Sequence, residues 1–170
     1  MPLTSGFTQK GISRYVILAL SFGLTACLIT ACVSLPRATP ARPDTRLGQK
    51  IAQRALQYVG TPYRYGGQSP NGFDCSGLIY YVYGQFGYRL PRKTKDMIKA
   101  GRWVSRRDLS PGDLVFFKTD WKGSLHSGIF LGQGRFVHAP KTGRTVEVQR
   151  LDRGYYKAKY YTARRIVLKH

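Results

Sequence analysis

The sequence predicts an α+β protein, in which helices come first and an antiparallel β-sheet follows. In the first part of the chain, apolar residues recur at helical spacing, whereas after Trp103 they fall in short runs separated by turn residues. With 170 residues, 42% of them hydrophobic, the chain is long enough to build one domain with its own core. We therefore expect N-terminal helices packed on a C-terminal antiparallel sheet.

The first residues have the pattern of a secretion signal. Lys10 and Arg14 form a basic region, an apolar run covers residues 15–24, and small residues follow. This run is shorter than the roughly 20 apolar residues that a membrane-spanning helix needs. We therefore predict a lipoprotein signal peptide over residues 1–31, which is absent from the mature protein.

Two cysteines near the end of this segment each follow residues typical of a bacterial lipobox. Cleavage at such a site leaves a lipidated cysteine as the first mature residue. Cys27 would leave apolar residues behind it, whereas Cys32 is followed by a proline-rich stretch. We predict lipidation at Cys32, with Cys27 as the alternative, and an extended tether up to residue 45. The competing interpretation is a membrane helix that buries both cysteines.

The folded domain is predicted over residues 46–170 and begins with a helix. Asp44 or Thr45 is available as its N-cap, and Gly60 is placed to end it. The apolar residues that recur at helical spacing are Leu47, Ile51, Ala55 and Val59.

Two further helices are predicted before the strands. The second begins at Asp74 or Cys75, and Gly87 fits the C′ position just beyond its end. Its apolar stripe consists of Leu78, Ile79, Val82 and Phe86. The third is short and covers residues 94–100.

The rest of the chain predicts five strands, over residues 114–117, 126–131, 135–139, 145–149 and 160–167. His126 and His138 lie on neighbouring strands of a hairpin. With Gly132-Gln133-Gly134 as a three-residue turn, Leu131 faces Arg135, Gly128 faces His138, and both histidines point to the same face. A turn of two or four residues would send them to opposite faces, so this is a sharp prediction.

The charge of the chain favours an anionic partner. There are 28 Lys and Arg against 8 Asp and Glu, a formal charge of +20. Removal of residues 1–31 takes away Lys10, Arg14 and no acids, which leaves 26 − 8 = +18. Nucleic acid, an acidic membrane and a wall polymer all fit such a charge, but export argues against nucleic acid. The alternative is that the charge serves solubility alone.

Cys75 is the remaining thiol if Cys32 is acylated and Cys27 is removed. It lies at the first turn of a predicted helix, where unpaired backbone N–H groups and the helix dipole stabilise a thiolate. A cysteine nucleophile needs a base and a group that orients the base, and His126 with His138 provides such a pair. A zinc site built from the same three residues is the competing functional interpretation. A lone cysteine is otherwise more often an inert core residue.

Six motifs follow one another along the domain. They are GTPYRYGG at residues 60–67, FDCSG at 73–77, LPR at 90–92, PGDLVFF at 111–117, HSGIFLG at 126–132 and FVHA at 136–139. Together they resemble the NlpC-type cell-wall cysteine peptidases, over a region from about Arg46 to the C-terminus. The resemblance implies a papain-like α+β fold and hydrolysis of peptidoglycan stem peptides without a metal or organic cofactor. It assigns Cys75 as nucleophile, His126 as base and His138 as the residue that orients the base.

The same resemblance implies substrate contacts for four more residues. Asp74 and Ser76 would touch the substrate, Tyr63 would lie near the oxyanion, and Thr94 would face the substrate. Each has a structural alternative: a packed loop aromatic for Tyr63, a helix N-cap for Asp74 and Thr94, and a first-turn position for Ser76. The γ-D-glutamyl to diaminopimelate bond and the D-alanyl to diaminopimelate crosslink are both plausible targets, and the sequence does not choose between them.

Two other functions fit the same residues. An acyltransferase or amidase would use the same cysteine and histidines, and a non-catalytic wall-binding module would need neither. Val33 after Cys32 is compatible with sorting to the outer membrane. We therefore expect the protein in the cell envelope, held by its lipid at the periplasmic face of the outer membrane, with stem peptides and not nucleic acid as its partner.

Overall fold

The computed structural model describes residues 44–120 and 123–167. The predicted signal peptide, Cys27, Cys32 and the tether before Asp44 lie outside these residues. Within them, helices precede a large antiparallel sheet, which confirms the α+β prediction.

Helix α1 covers Thr45–Leu56 and starts as the sequence predicts. The Asp44 side chain caps it by accepting a hydrogen bond from the backbone N–H of Leu47 at 3.1 Å. The prediction that Val59 belongs to the buried stripe is wrong, because this residue follows the helix and is 47% exposed. The chain turns away here because the Gly60 N–H donates to the carbonyl of Val146 at 2.9 Å, and Gly60 adopts a positive φ of 92°.

Helix α2 covers Cys75–Gly84, and its residues Leu78, Ile79 and Val82 are completely buried. The helix ends before Phe86, but Gly87 terminates it as predicted: Gly87 has a positive φ of 82°, its N–H donates to the carbonyl of Gly84, and the N–H of Tyr88 donates to that of Tyr83, both at 3.1 Å. The third predicted helix is likewise shorter, since α3 covers only Thr94–Met97 and single turns continue to Ala100. Among the described residues, no helix is long and apolar enough to cross a membrane.

Eight strands form two sheets in the described part of the chain. The short strands β1 (Gln68–Ser69) and β2 (Gly72–Phe73) pair with each other just before α2. The large sheet contains β3 (Arg102–Val104), β4 (Leu114–Lys118), β5 (Leu125–Gly132), β6 (Arg135–His138), β7 (Glu147–Arg150) and β8 (Tyr160–Arg165). Its order is β3-β8-β4-β5-β6-β7, and every pairing is antiparallel. The sequence missed β1, β2 and β3, whose two or three residues are too few to set a period.

Both faces of the large sheet are covered. Leu114 and Phe116 of β4 pack in one cluster with apolar residues of α1 and α2. Val115 and Phe117 point to the other face, where helix α4 (Gly154–Lys159) contributes Tyr156. The sequence missed α4, which has no buried residue and so lacks an apolar stripe. The buried residues of α2 therefore pack on one face of the sheet, and Tyr156 of α4 packs on the other.

The turn between β5 and β6 differs from the prediction, although the predicted register of the two strands beyond the turn is correct. Gly132, not Leu131, pairs with Arg135, so the tight turn has two residues, Gln133 and Gly134, with φ values of 52° and 68°. The register then shifts between Phe130 and Gly132, so Leu131 is an extra residue in the ladder. This bulge restores the pairing of Phe130 with Phe136, and both histidines keep the predicted face.

Candidate active site

Cys75 is the first residue of α2 and has a free thiol. The buried apolar residues of α2 fix the helix in the core, so its N-terminus is held at the edge of a cleft. The Cys75 side chain is half-buried, and its Sγ lies 3.6 Å from the Thr94 hydroxyl at the start of α3. Thr94 thus lies beside the thiol, although its side chain makes no capping hydrogen bond because Lys93 is the cap residue.

Asp74 organises the loop in front of the cysteine through five hydrogen bonds. Its Oδ1 accepts from the Gly77 N–H at 2.7 Å, which caps α2, and from the Ser76 hydroxyl at 3.2 Å. Its Oδ2 accepts from the Gly66 N–H at 2.9 Å. The guanidinium of Arg92 donates to both oxygens, at 2.9 and 2.8 Å. The carboxylate therefore joins the loop, the helix start and the segment before α3.

Arg92 was not assigned a role from the sequence, although it lies in one of the recognised motifs. Besides Asp74, it donates to the Ser76 hydroxyl at 2.9 Å and to the carbonyl of Gly67 at 3.0 Å. The pKa of Arg92 is raised, chiefly by its hydrogen bonds to Asp74. The hydroxyl of Ser76, a residue only 5% exposed, thus donates to Asp74 and accepts from Arg92.

Tyr63 approaches the cysteine from the loop before β1. Its backbone N–H donates to the carbonyl of Arg144 at 2.9 Å, and it forms an isolated bridge with Phe73. Burial raises the pKa of its phenol, and the nearby Cys75 and Asp74 raise it further. Tyr63 therefore enters the cleft as a neutral hydroxyl.

The two histidines are in direct contact on the sheet face that carries α4. His126 Nε2 lies 2.7 Å from His138 Nδ1, a hydrogen bond between two imidazoles. His126 is 7% exposed and His138 is completely buried. Tyr156 packs edge-on against His138, with ring centroids 5.0 Å apart. The rings converge as the strand register predicts.

Burial keeps both rings neutral, because a charged imidazolium loses its hydration there. It lowers the pKa of His126 to about 4. It also lowers the pKa of His138 to about 2, with smaller contributions from the neighbouring His126 and Arg144. At neutral pH, the pair is therefore in its base form.

Glu147 is a further residue of this site that the sequence prediction missed. It pairs directly across from His138 on β7, and its Oε1 lies 3.6 Å from His138 Nε2. Within the described residues, that buried nitrogen has no hydrogen-bond partner. The Glu147 carboxylate also accepts from Arg144 Nη2 at 2.6 Å and from Gln149 Nε2 at 3.1 Å. The sequence does contain a signal for Glu147. It is one of the 8 acidic residues of this chain, and it lies on the predicted strand that follows the hairpin of His126 and His138.

A cleft of about 560 Å³ brings most of the predicted site residues together. Its lining includes Cys75, His126 and the four predicted substrate contacts Tyr63, Asp74, Ser76 and Thr94. His138 lies behind His126 and does not line it. Across the described ranges, no group of three or more His, Cys, Asp and Glu side chains is arranged to hold a metal ion.

Known proteins share these features. The sequence profile of the NlpC/P60 family matches residues 60–165. The murein DD-endopeptidase MepH of Escherichia coli (strain K12) is 40% identical over 124 residues, which cover 69% of this chain and 46% of that protein. The γ-D-glutamyl-L-lysine dipeptidyl-peptidase of Bacillus subtilis (strain 168) is 37% identical over 130 residues, which cover 75% of this chain and 44% of that protein. The chain thus spans about half the length of these relatives.

A solved structure agrees with the fold. The crystal structure of a Staphylococcus aureus protein, described as similar to a lipoprotein of the NLP/P60 family, superimposes with a TM-score of 0.68 and 37% identity. The match covers 79% of this chain and 46% of that chain. It supports the papain-like α+β arrangement expected from the motifs. The profile match, the relatives and this structural likeness together show that the chain belongs to the NlpC/P60 family.

Proposed function

We propose that this protein is a cysteine-type peptidoglycan endopeptidase that hydrolyses amide bonds of stem peptides. The observation that carries the proposal is the placement of Cys75, at the N-terminus of α2, and of His126, backed by His138, on one cleft. Family membership and the names of the two relatives, both peptidases, support it. Nucleophile, base and orienting group are the three parts that acyl transfer through cysteine needs.

The reaction has two halves. In the first, His126 takes the proton of the Cys75 thiol, the resulting thiolate attacks the scissile carbonyl, and the Cys75 backbone N–H at the helix start stabilises the oxyanion. The C–N bond breaks as His126 gives a proton to the leaving amine. In the second, His126 takes a proton from water, the hydroxide adds to the acyl carbon, and the C–S bond breaks to release the acid.

The histidine tautomers follow from the hydrogen-bonding partners. His138 Nε2 has the acceptor Glu147 Oε1 as its nearby polar atom, which favours a proton on that nitrogen. His138 Nδ1 is then the acceptor in the 2.7 Å contact, and His126 Nε2 is the donor. This leaves the lone pair of His126 on Nδ1, free to act as the base toward the cleft. Glu147 thus sets the tautomer of the base through His138.

The remaining cleft residues supply contacts to the substrate. Tyr63 presents a phenol near the oxyanion, and Thr94 presents a hydroxyl beside the thiol. Asp74 and Ser76 face the cleft while they hold Arg92, so they act on the substrate through a fixed polar surface. Two relatives of similar identity carry names that refer to different bonds, a DD-endopeptidase and a γ-D-glutamyl peptidase. Both bonds are therefore candidate targets here.

Product identification tests this function. Purified sacculi are digested with the full chain, and the released fragments are analysed by mass spectrometry. An endopeptidase releases fragments with a new amine and a new carboxylate within the stem peptide, and the fragment masses name the bond. Products with a new acyl linkage would show an acyltransferase, and loss of ammonia from side-chain amides would show an amidase. If the chain binds sacculi but releases no fragment, it is a non-catalytic wall-binding module instead of an enzyme.

The anchoring of the protein is part of the proposal and rests on the N-terminal sequence. The signal pattern over residues 1–31 and the lipobox before Cys32 support a lipoprotein, and Val33 supports the outer membrane as its location. Cys32→Ala is expected to abolish incorporation of labelled fatty acid and to leave the precursor unprocessed, whereas Cys27→Ala is expected to be processed normally. Normal labelling of Cys32→Ala would reject this site.

A further inference from the structure

A second cavity adjoins the cleft on the far side of His126. It has a volume of about 770 Å³ and shares His126, Thr119 and Pro140 with the cleft that holds Cys75. From there it continues along the segment after β6, the strand β7 and the start of α4. We call it the basic arm because of its cations Lys141, Arg144, Arg150 and Arg153.

Positive charge is concentrated in the basic arm beyond the average of this basic chain. Four of its 12 lining residues are cationic, compared with 28 of 170 in the whole sequence. Its lining contains one carboxylate, Glu147, which is bound by Arg144. The cysteine cleft, in contrast, is lined by two cations and one acid, and that acid holds one of the cations. The excess charge therefore lies on the histidine side.

Two cations of the basic arm are available to a ligand. Arg150 is occupied by Asp152, which it holds through two nitrogens. Lys141 and Arg153 are exposed and make no ion pair with any described residue. Beside them, Tyr155 and Tyr156 give the basic arm an aromatic wall. Such a surface suits a short organic anion more than a single inorganic ion.

The direction of the reaction says which part of the substrate reaches the basic arm, and this step rests on the proposed function. His126 must lie next to the leaving amine to protonate it. Cys75 lines the other cleft and retains the acyl part. The residue that supplies the leaving amine therefore points past His126 into the basic arm.

We propose that the basic arm binds a free carboxylate on the stem-peptide residue that supplies the leaving amine. Lys141 and Arg153 would meet the carboxylate, and the tyrosine wall would pack against the carbon chain of that residue. A diamino acid with its own carboxylates has this chemistry at either candidate bond. The basic arm then makes the enzyme selective for substrates in which this carboxylate is free, over those in which it is amidated.

Two synthetic stem peptides, identical except for a carboxylate or a carboxamide on the leaving-amine residue, test this selectivity. The full chain should show a higher kcat/KM for the carboxylate peptide. Lys141→Gln combined with Arg153→Gln should lower kcat/KM for that peptide about five- to tenfold, the size expected for two partly exposed ion pairs, and change the carboxamide value little. The double variant Lys50→Gln, Arg107→Gln removes two exposed cations that do not line the basic arm and should leave both values unchanged.

If the full chain cuts both peptides equally and the arm variant does not alter their ratio, the basic arm proposal is wrong while the proposed function stands. If the control variant reduces the carboxylate preference as much as the arm variant, general surface charge is responsible, which also overturns the proposal. If the full chain cuts neither these peptides nor sacculi, the proposed function itself fails.

Discussion

The two sides of the candidate site are built by opposite means. On the cysteine side, a partly exposed carboxylate, Asp74, accepts five hydrogen bonds and holds the loop and helix start together. On the histidine side, two buried rings share one hydrogen bond, and the outer nitrogen of His138 lies 3.6 Å from its nearest acceptor, Glu147. The cysteine side thus fixes position by many polar contacts, whereas the histidine side fixes a protonation state by burial and a single chain of contacts.

This difference predicts how each side responds to substitution. When a network of several hydrogen bonds loses one contact, the remaining contacts still hold most of the residues in position. Loss of the whole network should lower both the unfolding free energy and the catalytic activity. A buried chain of two neutral rings depends on each member, because no solvent is available to replace a lost partner.

Removal of the base should give the largest effect on the histidine side. His126→Ala is expected to lower kcat/KM by about 10³-fold or more, because thiolate formation and leaving-group protonation both lose their partner. His138→Ala should lower it less, by roughly 10²-fold, because this ring only orients the base. Steady-state kinetics on a defined stem peptide measure both. Equal loss in the two variants would show that the rings act as one unit.

Asp74→Ala should affect stability and activity together. We expect it to lower the unfolding free energy by about 2 kcal/mol or more, because the cap of α2 and the partner of Arg92 are both lost. Asp44→Ala is the matched control, since Asp44 caps α1 through one bond to Leu47 and does not line the cleft. It should cost about 1 kcal/mol and leave kcat unchanged. Urea unfolding with kinetics separates the two variants, and equal costs would contradict the network.

Glu147→Ala should change the tautomer of the histidine pair. With no acceptor beside His138 Nε2, both ring tautomers become accessible, and kcat is expected to fall about tenfold with little change in KM. Nitrogen-15 NMR of the imidazoles reads the tautomers directly and separates this role from a structural one. Arg144→Gln, which removes a cation from the same carboxylate, should keep the wild-type tautomers. An unchanged spectrum in Glu147→Ala would refute the positioning role.

Acid pH should destabilise the histidine side of the site. In an unfolded chain the pKa of histidine is about 6.5. In the folded protein, burial lowers the pKa of His126 to about 4 and that of His138 to about 2. The unfolded chain therefore binds protons first, so stability is retained above about pH 6.5 and lost progressively below it, through pH 4 for His126 and pH 2 for His138.

The matched measurement compares the wild-type protein with His126→Gln. Between pH 6.5 and 4, the loss of one titrating ring should reduce the slope of unfolding free energy against pH by about 1 kcal/mol per pH unit. Chemical denaturation over this range gives the slope. Identical slopes in the two proteins would show that His126 is not buried in its neutral form.

Parts of this site follow from sequence, and other parts need the fold. Asp74 and Cys75 at a helix start are local features, and the structure confirms that start. The contact between His126 and His138 depends on the register of β5 and β6. The sequence predicts the correct sheet face for both rings, although it predicts a three-residue turn where the structure has a two-residue turn. The two-residue turn alone would have reversed the parity, and the bulge at Leu131 corrected it. A bulge has no periodic pattern of apolar residues, so it cannot be located by counting residues along the strands.

The contacts of Glu147 and Arg92 also depend on the fold and could not be predicted from the sequence. Arg92 reaches Asp74 across 18 positions of the chain, and Glu147 meets His138 through the pairing of β6 with β7. Such contacts depend on which elements are neighbours, and this is set by the packing of the whole domain. The prediction for Val59 is wrong for the same reason, because backbone pairing with Thr145 and Val146 redirects the chain after α1.

The proposed mechanism requires that the Cys75 thiolate, without a metal, cuts stem peptides. The direct test is release of peptide fragments from purified sacculi by the full chain, by Cys75→Ala, and by the wild-type protein after iodoacetamide or with a chelator, with thermal unfolding to confirm that the variant is folded. We predict fragments from the wild-type protein with or without chelator, and none from Cys75→Ala or the alkylated protein. Undiminished release by a folded Cys75→Ala, or activity that is lost in chelator and returns with zinc, would contradict it.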